Sequence, residues 1–414
     1  MGRGPSLPAI APGSIADVLI RDVRLIDGRA DTPRTHVDVR LDGDRISGIE
    51  PHDPARSPDP AEPVIDGTGR TLLPGLIDAH AHYTFDPTDG SLQSIARRSD
   101  EEILAAAERH ALLALRAGIT TARGAGSMRN LEVALRDRIA AGVVPGPRIV
   151  AAGTAVGAVD GHGAAFGLEA SGARGLADAT RRVIADGADV VKVVASEAAM
   201  LTTTGHEPGR LVHGRPELDD EEVRAIVGAA TALGRRVMSH AQDSESVRRS
   251  AAAGVASIEH AWLADEAAIE AIRVSGAWLV PTLVVTDVNR TLPGLTPVQR
   301  ERQDLIERTH RASTEAAIRL GVPLATGTDT GEVGVTADMV WREIALLVDH
   351  GASPMAAIQA ATASGARLLG VDGSVGAVAP GMIADLVLVD GDPLLDIGRL
   401  AAPVLVIQGG VVVD

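Results

Sequence analysis

From residue 72 to residue 329 the sequence alternates short apolar runs with longer Ala-rich segments of helical spacing, and this alternation restricts the fold more than any other feature. The apolar runs are rich in β-branched residues and end at glycine or polar residues, which is typical of buried strands. Eight strands are predicted: the run that ends at His80, 119–126, 148–153, 189–196, 235–241, 257–261, 278–283 and 322–329. Eight strands that alternate with helices favour a (β/α)8 TIM barrel of the α/β class, although periodicity alone also allows an open, doubly wound sheet.

Both ends of the chain have a different pattern. In 16–50, and again in 384–394 and 402–414, β-branched residues alternate with polar ones, and Asp-Gly pairs mark several of the turns. This alternation predicts hairpin strands. We therefore expect one small β unit, made of residues 1–71 and 376–414, beside a barrel domain of residues 72–375.

Composition excludes several classes of function. The formal net charge is −16, from 39 basic and 55 acidic side chains, which argues against a nucleic-acid partner. Cysteine is absent, so a metal ion would have to be bound through nitrogen and oxygen atoms. No run is apolar and long enough for a signal peptide or a membrane span, so we expect no membrane partner and a cytoplasmic location.

Residues that can bind a metal ion lie in the predicted strands or at their carboxyl ends. His80 and His82 are two positions apart, so a strand would direct both side chains to the same side. Four further candidates lie on other predicted strands: Lys192, His240, His260 and Asp329. Each alone has an ordinary explanation, such as a hydrogen-bonded core histidine, a lysine that reaches water, or an aspartate that caps a turn. Because a barrel gathers these strand ends on one face, the whole set predicts a metal centre.

The order of these residues resembles that of the amidohydrolase superfamily, in the binuclear branch that has a carboxylated lysine. The segments LLPGLIDAHAH, SIEHA, WLVPTL and PLATGTDTG and the tail 361–394 are similar to the imidazolonepropionase-like and Xaa-Pro dipeptidase (prolidase) group. The resemblance implies a TIM barrel with a small β-sandwich domain formed by the N- and C-terminal segments. It also implies two divalent metal ions, with zinc expected and manganese or cobalt equally suited to such ligands.

The same resemblance assigns a role to each candidate. The implied ligands are His80, His82 and Asp329 for one ion, His240 and His260 for the other, and carboxylated Lys192 as the bridge between them. The two ions would share a hydroxide that attacks the amide carbonyl. Asp329 would take the hydroxide proton and pass it to the leaving nitrogen.

His162, between Gly161 and Gly163, is a second catalytic candidate. A similar Gly-His-Gly segment in the prolidase-like group places a histidine against the substrate carbonyl oxygen; the alternative is a flexible turn with a solvent-exposed histidine. The sequence departs from the group at 197–199, where glycines commonly follow the serine, and at Gln242, where tyrosine or histidine is common. We expect these positions, including Gln242, to line the substrate pocket.

The segment 200–216 is cationic in an otherwise acidic chain, with His206, Arg210, His213 and Arg215. Loops that follow barrel strands form the rim of the pocket, so we predict that Arg210 and Arg215 bind a substrate carboxylate. A solvated insertion with incidental charges is the alternative. The predicted function is therefore hydrolysis of the amide bond of a small molecule, a dipeptide or an N-acyl amino acid.

Two other functions stay open. A mononuclear hydrolase of cyclic amides, or a deaminase, would need the HxH pair, His240 and Asp329 but not Lys192. The second is a non-catalytic scaffold, which would not need metal ligands. The complete set of candidate ligands in this sequence argues against it. The resemblance to this family also implies a homo-oligomer.

Overall fold

The computed structural model describes residues 17–58, 62–89, 92–198 and 214–413. The strands in these ranges are β1 Val18–Leu25, β2 Arg34–Asp42, β3 Arg45–Pro51, β4 Val64–Asp66, β5 Arg70–Pro74, β6 Leu76–Ala81, β7 Ile119–Gly124, β8 Arg148–Val150, β9 Ala155–Ala158, β10 Gly167–Ala170, β11 Val191–Val194, β12 Val237–Asp243, β13 Ser257–Leu263, β14 Trp278–Val280, β15 Leu386–Asp390, β16 Leu405–Gln408 and β17 Val411–Val412.

The α-helices are α1 Leu92–Ala96, α2 Asp100–Arg116, α3 Leu131–Ala140, α4 Gly172–Ala185, α5 Asp220–Ala232, α6 Ser244–Ala253, α7 Glu266–Ser275, α8 Leu283–Thr291, α9 Pro297–Leu320, α10 Val340–Asp349, α11 Pro354–Ala360 and α12 Ala363–Leu369. Short 3-10 helices lie at Met128–Asn130, His162–Ala165 and Ile397–Ala401. An acidic cap begins α5, because the Asp219 carboxylate accepts hydrogen bonds from two backbone N–H groups of the first turn.

The central strands form a closed parallel barrel, as predicted. One sheet has the order β6-β7-β8 and a second has the order β10-β9-β11-β12-β13-β14. The Asp189 N–H, just before β11, donates to the carbonyl of Ala151 after β8, and this bond joins the two sheets on one side. On the other side, the segment 323–330 bonds to both β14 and β6, through Leu279 N–H to Pro323 O and Ala79 N–H to Thr326 O, at 3.0 and 2.8 Å.

The eighth predicted strand, 322–329, is only partly regular. The segment makes isolated bridges at Leu324 and Thr330 instead of a continuous ladder. Gly327 lies so close to β6 that a Cβ there would be 2.7 Å from the Cβ of His80, and Asp329 has a positive φ of 57°. The close approach and the turn of the backbone interrupt the strand where the candidate aspartate lies. The short strands β9 and β10 are additional to the predicted set.

A separate β-rich unit contains strands from both ends of the chain. Its sheet has the order β17-β16-β15-β5-β1-β2-β3, and β4 pairs with β1. The antiparallel pairing of β5 with β15 joins the N-terminal strands to the C-terminal ones. Only Gly75 separates β5 from β6, so the unit leads directly into the first strand of the barrel. The domain boundaries at residues 71 and 376 stay predictions.

Alternation along the barrel strands directs the candidate residues inward. Val191 and Val193 of β11 pack in an apolar cluster with Ile226 of α5 on the outer side of the barrel. Lys192 lies between the two valines in sequence, so its side chain points to the opposite face, the barrel interior. No helix in the described ranges is long and apolar enough to cross a membrane.

Candidate active site

The six predicted ligands come together, buried, at the carboxyl end of the barrel. They are His80, His82, Lys192, His240, His260 and Asp329. The ring centroid of His260 lies 4.9 Å from that of His80 and 4.6 Å from that of His240. The Lys192 Nζ is 3.3 Å from the Nε2 of His80. Residues of five barrel positions, far apart in sequence, therefore surround one point, although their roles as ligands stay predictions.

Asp329 lies at the centre of this cluster. Its Oδ1 is 3.3 Å from the Nε2 of His80 and 3.4 Å from that of His82, and its Oδ2 is 3.8 Å from the Nδ1 of His260. Burial alone would raise the pKa of Asp329, but the histidines around it hold that pKa well below its usual value. The carboxylate is therefore an anion that faces several ring nitrogens.

Burial disfavours the charged form of three other groups of the cluster. Burial lowers the pKa values of His240 and His260 well below the usual value and lowers the pKa of Lys192 to about 8. In His240, the buried Nε2 has no hydrogen-bond partner among the described residues. Neutral imidazole is the form that binds metal ions. A buried ring nitrogen without a hydrogen-bond partner is available to coordinate such an ion.

The residues fit a divalent metal ion. Ligand atoms of His80, His260 and Asp329 all lie within 4.8 Å of one another. Imidazole nitrogen and carboxylate oxygen are ligands of zinc, manganese and cobalt. The donor set is thus chemically suited to the metal centre that the sequence predicts.

A buried ion pair supports His80 from behind. The Glu259 Oε2 accepts a hydrogen bond from the His80 Nδ1 at 2.8 Å. Arg123 donates to both carboxylate oxygens of Glu259, at 2.9 and 3.0 Å, and Ser257 donates to one of them. Burial would raise the pKa of Glu259, but Arg123 and then His80 lower it to about 2. Glu259 is therefore an ionised carboxylate with hydrogen bonds to both of its oxygens.

Two other histidines also have fixed partners. The His82 Nδ1 donates to the carbonyl of Gly126 at 2.9 Å, and the His82 ring stacks on Phe85 with centroids 4.5 Å apart. The His260 Nδ1 lies 2.8 Å from the Oγ1 of Thr282. Such outer partners orient a ligand ring and select which nitrogen faces the metal.

His162, the second catalytic candidate, lies beside the cluster. Its ring centroid is 5.0 Å from that of His240, and burial and then the charge of Lys192 lower its pKa to about 4. Its backbone N–H donates to the Glu217 Oε1 at 2.7 Å. Instead of a flexible turn, the segment forms a short 3-10 helix that places a half-buried, neutral imidazole next to the predicted ligands.

The predicted substrate-binding residues are only partly described. Gln242 is buried at the end of β12, and its backbone N–H donates to the Ser196 Oγ at 3.1 Å. Arg215 is exposed, and its carbonyl accepts a hydrogen bond from the Glu197 N–H at 2.8 Å, so it lies beside the end of β11. Arg210 and the part of the cationic segment from 200 to 213 lie outside the described residues.

Sequence reasoning missed the residues that hold the ligands in place. Glu259 and Arg123 are the main examples, and Asp78 and Thr328 form a second buried pair, with the Thr328 Oγ1 donating to the Asp78 Oδ2 at 2.6 Å. A signal was present, because a charged residue inside an apolar strand needs a buried partner. The identity of that partner was not readable from the sequence.

The family model named Amidohydrolase family matches residues 71–414. The chain belongs to the amidohydrolase family. Ochratoxinase of Aspergillus niger is 29% identical over 368 residues, which cover 80% of this chain and 72% of that protein. Imidazolonepropionase of Rubrobacter xylanophilus is 30% identical over 385 residues, which cover 85% of this chain and 84% of that protein.

Solved amidohydrolase structures share the fold over nearly the whole chain. A crystal structure of a Xaa-Pro dipeptidase with bound methionine in the active site is 29% identical, has a TM-score of 0.85, and covers 96% of this chain and 99% of that chain. The predicted resemblance to the imidazolonepropionase-like and prolidase group is confirmed. This amidohydrolase is a hydrolase that acts on carbon–nitrogen amide bonds of small molecules.

Proposed function

We propose that this amidohydrolase is a metal-dependent enzyme that binds two divalent ions and cleaves the amide bond of a carboxylate-bearing substrate, a dipeptide or an N-acyl amino acid. The observation that carries the proposal is the buried set of nitrogen and oxygen donors around Asp329. Imidazole nitrogens, one anionic carboxylate and a lysine of lowered pKa suit zinc, with manganese or cobalt as chemical equivalents.

Lys192 is the proposed bridging ligand in a carboxylated form. Burial lowers its pKa to about 8, so at neutral pH an appreciable fraction is the free amine. The amine attacks the carbon of carbon dioxide, an N–C bond forms, and loss of one proton leaves an anionic carbamate. The carbamate supplies two oxygen ligand atoms, one for each ion, whereas the unmodified lysine would supply a single nitrogen.

The bound ions would polarise the substrate carbonyl and lower the pKa of the attacking water. Asp329 accepts a proton from that water and gives it to the leaving nitrogen, which must be protonated to depart as an amine. His162 is neutral, so its one ring N–H donates to the substrate carbonyl oxygen, where negative charge develops. Both residues act from the same face of the barrel.

The proposed carboxylate recognition rests on the rim of the site. Arg215 lies where the cationic segment returns to the end of β11, and a Cβ at the adjacent Gly214 would be 3.4 Å from the Cβ of Gln242. The rim thus borders the buried pocket position at the end of β12. Arg215 and Arg210 supply the guanidinium groups that pair with a carboxylate in a fork. The dipeptidase relative with a bound free amino acid supports a substrate of this charge.

Metal analysis joined to a substrate panel tests the proposal. We expect two divalent ions per chain and hydrolysis of dipeptides or N-acyl amino acids. Converting the substrate carboxylate to an amide should raise KM sharply with little change in kcat. Arg215→Gln should reproduce that rise, whereas Arg181→Gln, an exposed arginine of α4, should not. Equal cleavage of blocked and free substrates would overturn the carboxylate assignment.

A mononuclear hydrolase of cyclic amides is the second candidate. It is favoured by the similarity to imidazolonepropionase and by the compact group of His80, His260 and Asp329, which alone could hold one ion. One ion per chain, together with full activity of Lys192→Ala on an uncharged cyclic amide, would establish this candidate over the binuclear one.

A further inference from the structure

The 3-10 helix that carries His162 begins at a carboxyl group from a distant part of the chain. The first N–H group of a helix has no acceptor within the helix itself, and the residue before this helix, Gly161, has no side chain that could accept the bond. Instead, the His162 N–H donates to the Glu217 Oε1 at 2.7 Å, across 55 positions of sequence. Glu217 thus does what a capping side chain usually does, although it belongs to another segment.

The Glu217 carboxyl group lies directly against the start of this helix. A Cβ at Gly161 would be 2.5 Å from the Glu217 Oε2, so this close approach requires glycine. The helix also packs on β11, because a Cβ at Gly163 would be 2.9 Å from the Cγ2 of Val194. The position of the helix is therefore determined both by a barrel strand and by the carboxyl group.

Glu217 is itself fixed at the end of β11. Its N–H donates to the Ala195 carbonyl at 2.9 Å, and the Glu197 N–H donates to the Arg215 carbonyl at 2.8 Å. These two bonds flank an antiparallel bridge between the segments 195–197 and 215–217. The carboxyl group is thus presented from backbone that is attached to the barrel, two positions after the arginine of the proposed rim.

We propose that Glu217 is a positioning residue that holds His162 against the substrate carbonyl oxygen through the His162 N–H group. The inference rests on the proposed function, in which the His162 ring donates to that oxygen as negative charge develops. The His162 ring centroid lies 5.0 Å from that of His240, so a shift of the helix start changes the distance from His162 to the reacting atoms. Misplacement of a catalytic group by about 1 Å can cost about 100-fold in rate.

Glu217 and Arg215 should therefore differ in their kinetic effects. Glu217→Ala should lower kcat about 10-fold to 100-fold with KM nearly unchanged, because the lost contact belongs to the transition state. Arg215→Gln should instead raise KM. Glu217→Gln keeps an oxygen that can accept from the His162 N–H, so it should retain most of the wild-type kcat. Gly161→Ala displaces the carboxyl group without removing it and should reproduce Glu217→Ala; its φ of −79° is one that alanine adopts freely.

A double-mutant cycle with His162→Ala separates positioning from a general structural role. The assay uses the metal-loaded, full-length enzyme and the dipeptide or N-acyl amino acid that wild type cleaves fastest. In the His162→Ala background, Glu217→Ala should change kcat by less than about 2-fold, because the ring that it positions is gone. Glu169→Ala is the matched control in wild type, with kcat within about 2-fold. The exposed Glu169 accepts from the Asp160 N–H at 2.7 Å in the same loop, one residue before Gly161.

Hydrogen exchange of the segment 160–166 gives a readout that is independent of turnover. Exchange should be faster in Glu217→Ala and Gly161→Ala than in wild type, and unchanged in Glu217→Gln.

Equal losses of kcat from Glu217→Ala in both backgrounds, or an equal loss in Glu217→Gln and Glu217→Ala, would overturn the inference alone. A wild-type kcat of His162→Ala would overturn the role of His162 in the proposed function, and this inference with it. If Glu217→Ala does not fold, Gly161→Ala in the same two backgrounds decides the inference.

Discussion

Replacement of Asp78 by asparagine should make the metal-free protein gain stability, relative to wild type, as the pH rises. Asp78 is buried on β6, and its Oδ1 accepts from the backbone N–H groups of His80 and Thr328 at 3.1 and 3.0 Å. Its Oδ2 accepts from the Thr328 hydroxyl. Despite these bonds, burial raises the pKa of Asp78 from 3.8 to about 6.

The magnitude follows from that shift. A carboxyl group with a raised pKa in the fold binds a proton that the unfolded chain has lost, so between pH 3.8 and about 6 the stability falls as the pH rises. A shift of about 2 units corresponds to about 3 kcal/mol. Asparagine is neutral at every pH and keeps the Oδ1 acceptor. It removes the acceptor of the Thr328 hydroxyl proton, however, and this lost hydrogen bond destabilises the fold by about 1–3 kcal/mol. That loss is independent of pH, whereas the gain of about 3 kcal/mol appears only when Asp78 would be ionised.

Thermal unfolding of the metal-free protein at pH 4 and pH 8 measures the difference. About 2.4 kcal/mol of that gain lies between pH 4 and pH 8, because the unfolded carboxyl is already mostly ionised at pH 4. The unfolding entropy of a 414-residue chain is roughly 0.9 kcal/mol/K, so the Tm of Asp78→Asn relative to wild type should rise by about 3 °C between the two pH values. Asp86→Asn is the control: burial would raise the pKa of Asp86, but its bonds to Thr88 and Arg98 lower that pKa to about 2. Its contribution to stability is therefore lost only below about pH 4, and the Tm of Asp86→Asn relative to wild type should stay nearly constant between the two pH values. A Tm difference for Asp78→Asn that is the same at both pH values would refute the reasoning.

Three further predictions follow from the site and its surroundings. Asp329→Asn should lower kcat roughly 100-fold to 10,000-fold with an unchanged circular dichroism spectrum, and near-native turnover would assign the proton transfer to another group. Lys192→Ala should lose bound metal and activity together, and bicarbonate with a short carboxylic acid should restore part of both; full metal content would contradict the bridge. Burial lowers the pKa of His310 to about 3, so acidification to pH 5 should destabilise wild type by about 2 kcal/mol more than it destabilises His310→Phe; equal Tm changes in the two proteins would disprove this.

The barrel was readable from the sequence because each strand follows a local rule. Apolar runs such as that of β11 are marked by β-branched residues, and a glycine or an acidic cap such as Asp219 marks the next element. The exception is the eighth strand. Its irregularity comes from the close approach of Gly327 to β6, a contact between residues that are about 250 positions apart and invisible to a local pattern.

The candidate ligands were readable for a different reason. Their residue types are rare inside apolar strands. The order of histidines, lysine and aspartate along the sequence therefore indicates a metal centre even when the contacts between them are unknown. The supporting residues lack such a pattern: 179 positions separate His80 from Glu259, and 136 separate Arg123 from Glu259. A glutamate next to a histidine reads as an ordinary charged residue until the fold shows that a guanidinium from another strand covers it.

Backbone strain is the part of the site furthest from sequence reasoning. His260, Ala261, Thr282 and Asp329 all have positive φ angles, between 51° and 76°, at the ends of three neighbouring barrel positions. Each such residue other than glycine costs on the order of 1–3 kcal/mol, and alanine and threonine, unlike aspartate and histidine, are not enriched in the left-handed region. The conformation persists because the surroundings fix it, as when the Asp329 N–H donates to the His80 carbonyl at 2.8 Å. The β6 strand thus both presents two candidate ligands and holds the strained aspartate against them, so the geometry of the cluster depends on the closure of the barrel between its first and last strands.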